Sequence, residues 1–515
     1  MKPNFFKSSI LIFLIGLASK IMGVFRQSLI GYYYGQSVYT DAFNYANEIA
    51  LILTVVVNTT IHLVIIPIMS KAKETYDLEE RDQYFSKVVN LVTLINIFLV
   101  IFVIVFAGFL VNLIIPNFPK EYFDITVKMV RIIAPSILFL GLVSCFGAYL
   151  NSLNIFAPFA AVGIIVNLTF YIGLLLVGKY TNIINLAYIT TLGAITQSIF
   201  LYIFLKRQNY KHAWKIDNKN GYLKETMYLM IPLTSKEIIS QGANAVINGI
   251  ISGLTEGSKT VLRTSYNLFG AVLSMSITSV STVLYPSLAK AFNSGDRKFI
   301  RKVIDKGIVI TTMILIPFTC GVIILARPVI SLIYEGGKFT SENTILTATA
   351  LQLYAIGFTA AGLRIYLNRV YFGLQDTKVP FYNQILTSGL YILGSFILTR
   401  TLDYKGVALA FSISCIIETI ILIALLKKKI AELDIAYYLS SFVKIVICTL
   451  LMGVVVYNSN NLLDKAMGNG NLQILIRLII VTILGIGTYG FVLHLIKFDE
   501  FNNILEVVKS KLTKK

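Results

Sequence analysis

Apolar residues in this chain come in long continuous runs, not in alternating or narrow helical-stripe patterns. "SILIFLIGLA" (Ser9–Ala18) is one example, and short polar segments close each run. A run of about 20 apolar residues crosses a hydrocarbon core of about 30 Å as a helix, which also satisfies its own backbone polar groups. The pattern predicts about fourteen spans. They fall roughly at 8–34, 42–69, 88–115, 127–151, 157–178, 183–205, 226–253, 262–289, 304–325, 344–373, 380–400, 404–426, 437–457 and 473–496. A transmembrane β-barrel would show alternation over segments of about ten residues instead. The fold class is an all-α polytopic membrane protein.

Composition agrees. The 515 residues are 56% hydrophobic and only 14% charged, against roughly 25% charged in a soluble domain. The net charge is +19. The basic residues concentrate in alternate loops: "KAKETYDLEERDQYFSK", "KRQNYKHAWKIDNKNGYLK", "KAFNSGDRKFIRK", Lys427–Lys429 and the tail "KSKLTKK". The intervening loops, "GQSVYT", "PNFPKEYFD", "GKYTN" and "GLTEGSK", are poorer in them. The positive-inside rule then predicts that both termini are cytoplasmic. Topology and anionic lipid account for the charge, and nucleic acid is not an expected partner. Cys145, Cys320, Cys415 and Cys448 all lie in apolar runs, without disulfide or metal spacing, and the chain has three histidines. No metal site or cofactor is expected. The first run lacks an A-x-A-like cleavage site, so it reads as a span and not as a signal peptide.

Two pairs of segments echo each other. "IPIMSKA" (Ile66–Ala72) resembles "YPSLAKA" (Tyr285–Ala291), and "YLNSLNIFAPF" (Tyr149–Phe159) resembles "YFGLQDTKVPF" (Tyr371–Phe381). The offsets are 219 (285 − 66) and 222 (371 − 149). A duplicated unit of six spans predicts two pseudo-symmetric, parallel lobes, at 1–220 and 221–430, with two further helices and a tail at 431–515. That is transporter architecture.

Charges inside spans are rare and costly, and they normally face a polar interior or pair with each other. Lys20 and Arg26 lie six residues apart (26 − 20) in the first span, about 120° apart around a helix. Both can face a broad cavity. Glu48 and Glu418 sit deeper in their spans. No Lys or Arg occurs from Asp41 to Pro67, so a partner for Glu48 must come from another helix, unless it binds a coupling cation or is protonated. Lys236 and Glu237 are adjacent and must point in different directions. The loop "YEGGKFTSENT" lacks the GK[ST] ending of a P-loop. No zinc pattern or Ser/His/Asp arrangement is present at usable spacing, so no catalytic residues are assigned and an enzyme is not expected. Energy would come from Na+, H+, the membrane potential or the substrate itself.

Several stretches together resemble the MurJ (MviN) family of lipid II flippases, within the superfamily of oligosaccharide flippases and MATE exporters. They are "SKIMGVFRQ", "YG" and "TDAF" at the start, then "RIIAPSILFLGL" and "LNSLNIFAPFAAVGIIVN". The second half adds "GLTEGS", "YPSLAKA", "YEGGKFTSENT", "LQLYAIGF" and "NRVYFGLQDTKVP". The similarity covers roughly residues 8–430.

The resemblance implies two six-helix lobes around a cationic cavity, two extra helices forming a lipid-accessible groove, and a peptidoglycan precursor as cargo. The location implied is the bacterial cytoplasmic membrane. The cargo, lipid II, carries its head on undecaprenyl pyrophosphate. Substrate-binding candidates are Lys20, Arg26, Arg263 and Asn267. Gate or ion-coupling candidates are Asp41, Glu48, Lys236 and Glu237. A monomer is expected. Lys20 stands where the family has an arginine, and Gln27 replaces an acid. The family's span-2 motif, near R-x-x-F-A-E-G-A-F, is replaced by "LILTVVVNTTIHLV". Asn267 takes the place of the span-8 arginine, with Arg263 one helical turn earlier. Alternatives are a flippase for another lipid-linked oligosaccharide, serving capsule or exopolysaccharide, and a MATE-like cation-coupled exporter.

Overall fold

The computed structural model describes residues 5–75, 78–177, 182–214, 222–430, 433–468 and 470–512. Among these residues every element is helical, apart from one isolated β-bridge between Gly336 and Phe339. The chain forms two compact units, Met1–Thr260 with Gly336–Phe339, and Val261–Glu335 with Thr340–Lys515.

The first unit contains α1 (Phe5–Tyr34), α2 (Val38–Thr75), α3 (Leu78–Val105), α4 (Ala107–Ile114), α5 (Phe123–Ile133), α6 (Ser136–Ser152), α7 (Ala157–Val177), α8 (Ile184–Lys206) and α9 (Tyr222–Ile251). It also holds the first residues of α10 (Ser258–Ser294). The second unit takes the rest of α10, then α11 (Arg297–Tyr334), α12 (Ser341–Ile356), α13 (Phe358–Gly373), α14 (Lys378–Leu402), α15 (Tyr404–Lys429), α16 (Ile435–Met467), α17 (Asn471–Leu495) and α18 (Asp499–Leu512).

Each of the fourteen predicted spans coincides with a helix or a pair of helices. By length and apolarity alone, 10 helical stretches can cross a membrane among the described residues, or 11 with the pair α12–α13, which is bent by 44°. The other three predicted spans fall on α2, α9 and α10, of 38, 30 and 37 residues. At about 1.5 Å per residue each is long enough to cross. The α12–α13 bend sits at Gly357, whose N–H bonds Ser412 Oγ of α15 at 3.0 Å. Large apolar side chains such as Phe98, Leu175, Leu176, Leu472 and Ile486 point outward, as lipid-facing positions require.

In the first unit α2, α3, α6 and α8 enclose a core of Ile61, Phe85, Cys145, Tyr149 and Leu201. Its end is fastened by a buried polar network. Arg81 and Asp82 pair at 3.1 Å, and Tyr149 donates to Asp82 at 2.7 Å. Tyr210 bonds Ser86 at 2.8 Å, which ties the segment after α8 to α3. α9 packs on α2 and α4, so the compact units divide after residue 260. A packing boundary is not a duplication boundary, and the lobes 1–220 and 221–430 rest on the sequence echoes alone.

In the second unit α10, α11, α13 and α15 share a core of Leu284, Ile304, Leu367, Tyr371 and Leu422. α16 and α17 pack on each other and on α11. Asp376 accepts from the Lys378 and Val379 N–H groups at the start of α14. The Lys429 ammonium beside it holds this carboxyl below the usual range, helped by those N–H groups.

Candidate functional site

α1 is positioned by α7. Gly163 allows the close approach, since a Cβ there would collide with Ser19 Oγ. Asn167 Nδ2 donates to the Ser19 carbonyl at 3.0 Å, and Tyr171 donates to the Met22 carbonyl. The stretch carrying both cations is therefore fixed. Lys20 is exposed and makes no ion pair among the described residues. Arg26 is half-buried, with its guanidinium carbon 4.8 Å from the centre of the Phe170 ring. Such a contact orients a cation.

Asp41 lies in the first turn of α2 and is buried. Its carboxylate accepts from Gly257 N–H at 2.8 Å, Thr260 N–H at 2.7 Å and Thr260 Oγ1 at 2.6 Å. It thus caps the start of α10 from another helix, where unpaired N–H groups and the helix dipole favour an anion. Gly257 has φ +82°, a turn conformation that glycine adopts at little cost. Asn44 adds a bond to Thr260 Oγ1 at 2.9 Å.

One face of α2 continues to Glu48. Its Oε2 accepts from Lys259 Nζ at 2.7 Å and Asn248 Nδ2 at 2.8 Å, and Lys259 also donates to Asn248 Oδ1 at 2.7 Å. The Lys259 ammonium lies 5.3 Å from the Tyr45 ring centre. The partner of Glu48 thus comes from another helix, at the start of α10. Asp41 and Glu48 form one latch that holds the first residues of α10 to α2. Sequence reading placed Lys259 and Thr260 in or beside a loop and passed over both. The signal was the cation of "GLTEGSK", the only one in that weakly charged segment.

The other predicted residues lie elsewhere. Arg263 is half-buried and Asn267 exposed, one turn apart on α10. Glu237 is half-buried on α9, and the side chain of Lys236 lies outside the described residues. "YEGGKFTSENT" is structural in part: Lys338 N–H caps the Tyr32 carbonyl at the end of α1 at 2.9 Å, and Phe339 is buried.

The second unit holds a pair that sequence reading half saw. Glu418 of α15 is buried, and Arg364 Nη1 of α13 donates to its Oε2 at 3.2 Å. Arg364 stands alone in the apolar stretch "AAGLRIYL", which was the available signal. The same unit has an apolar cavity of about 570 Å³ lined by Phe269, Met313, Phe318, Met452, Gly485 and Tyr489. α10, α11, α12, α13, α16, α17 and α18 contribute its walls.

The model of the family "Lipid II flippase MurJ" matches residues 30–477. A probable lipid II flippase MurJ from Rickettsia prowazekii is 27% identical over 456 residues, covering 88% of this chain and 89% of the relative. The lipid II flippase MurJ of Thermosipho africanus is 29% identical over 457 residues, 87% of this chain and 90% of its own. A solved structure of lipid II flippase MurJ in an inward closed conformation superposes with a TM-score of 0.78 at 26% identity, covering 94% of this chain and 99% of that one. An inward-facing multidrug MATE transporter shares the fold at a TM-score of 0.66 and 12% identity, covering 82% and 98%. With the family model matching most of its length, this chain belongs to the lipid II flippase MurJ family.

Proposed function

We propose that this chain flips lipid II from the inner to the outer leaflet of the bacterial cytoplasmic membrane by alternating access, with no covalent step. The observation that carries this reading is the family match over residues 30–477 joined to two cations fixed on α1. A pyrophosphate head is anionic, and Lys20 and Arg26 offer charge-assisted hydrogen bonds to its oxygens. These are stronger in a low-dielectric site than in water. The isoprenoid tail stays in the bilayer. Both termini are cytoplasmic in this reading, so the latch of Asp41, Glu48, Lys259 and Thr260 lies toward the outer side. Release of that latch would accompany exposure of the head outside.

The test is the flipping of head-labelled lipid II in proteoliposomes. Lys20→Ala with Arg26→Ala should abolish flipping while the protein still inserts and folds. Full flipping by that double variant at equal protein content would remove both residues from the mechanism.

One observation favours a second reading. The chain lacks the span-2 motif that its family resemblance calls for, having "LILTVVVNTTIHLV" there, and it has Asn267 in place of an arginine. A flippase with the same fold and another lipid-linked oligosaccharide as cargo accommodates those changes.

A further inference from the structure

We infer that Arg364, held by Glu418, is a binding residue for an oxyanion of the cargo head, supplied by the second unit. The inference rests on the flippase reading above. Arg364 lies nine residues before the end of α13 (373 − 364) and Glu418 eleven before the end of α15 (429 − 418). These distances are about 14 Å and about 17 Å of helix, close to the middle of a core of about 30 Å.

An ion pair at this depth can serve structure alone, and then both members are enclosed. Here they are not. The Glu418 side chain is 2% exposed and the Arg364 side chain 24%. Among the described residues the one hydrogen bond of the guanidinium is Nη1 to Glu418 Oε2. None of its nitrogens is among the buried atoms lacking a partner. Its remaining N–H donors are therefore not sealed off, although they lie at mid-span. Facing lipid there is costly, so such a cation lines a polar path. The neighbouring surface fits that view. Tyr266 of α10 is exposed, and its ring is braced by Tyr354 and Phe411 at 5.5 Å each. Asn267, beside it in sequence, is exposed as well.

The chemistry defines the ligand. Glu418 orients one edge of the guanidinium and leaves the other donors in a planar fork, the geometry that phosphate and carboxylate oxygens accept in bidentate fashion. A lysine at position 20 cannot offer that fork, and Arg364 can.

The test uses the purified full-length chain and two probes, lipid II and undecaprenyl pyrophosphate, with thermal stability measured alongside affinity. Arg364→Met with Glu418→Gln removes the pair without leaving an orphaned charge. We expect this double variant to fold and to bind lipid II about tenfold more weakly. An equal loss for undecaprenyl pyrophosphate would identify phosphate as the ligand, and a loss confined to lipid II would identify carboxylates of the head. Arg364→Lys keeps the ion pair and loses the fork, and should weaken binding severalfold even if the double variant folds poorly. Wild-type affinity for both probes in the folded variants would overturn the assignment and leave Arg364 as the counter-ion of Glu418. Failure of the wild-type chain to bind either probe would instead overturn the cargo reading, and this inference with it.

Discussion

Glu48 and Glu418 are both carboxylates set into apolar spans, and each is matched to a cation from another helix, yet the two pairs face opposite ways. In the first unit the lysine is inside: the Lys259 side chain is 8% exposed and that of Glu48 36%. In the second unit the acid is inside, with Glu418 at 2% and Arg364 at 24%. The member that reaches outward sets the sign of the surface. The first pair adds Asn248 and the Tyr45 ring around the ammonium, which suits a latch that is fully satisfied within the protein. The second leaves guanidinium donors available, which suits a ligand.

The largest effect that can break this contrast comes from orphaning each buried member. Arg364→Met leaves Glu418 buried without its counter-charge and should cost on the order of 3–5 kcal/mol of stability. Glu48→Gln leaves Lys259 buried but still bonded to Asn248 Oδ1, and should cost less, about 1–2 kcal/mol. Thermal or denaturant unfolding in detergent reads both. Equal costs would mean that the two pairs do not differ in the way their exposures indicate.

A smaller effect sharpens the latch itself. Asp41→Ala removes the acceptor for the Gly257 and Thr260 N–H groups and should cost about 1–2 kcal/mol, the range of a lost helix cap. Hydrogen exchange at residues 257–262 should quicken while exchange in α6 and α8 stays as it was. Unchanged exchange at the start of α10 would contradict the capping role.

What could be read in advance follows from the range of the interactions. The spans were legible because a bilayer demands apolar runs in each segment by itself. Arg26 and Asp41 could be singled out because they sit in motifs that are local in sequence. The partner of Glu48 was not, because Lys259 is 211 residues away and only packing brings them together. Arg364 was missed for a related reason. A lone arginine in an apolar run is conspicuous, but its meaning depends on Glu418, 54 residues on, and on which of the two faces outward. The α12–α13 bend is likewise fixed by a contact from α15 that no local pattern reports.

Recognition of lipid II by this chain is tested most directly by binding. Purified protein would be titrated with labelled lipid II, with undecaprenyl phosphate and an unrelated undecaprenyl-pyrophosphate glycan as competitors. Neither competitor should displace lipid II at equal concentration. Equal or stronger binding of the unrelated glycan would contradict that expectation, and would mean that the family fold has been kept for a different cargo.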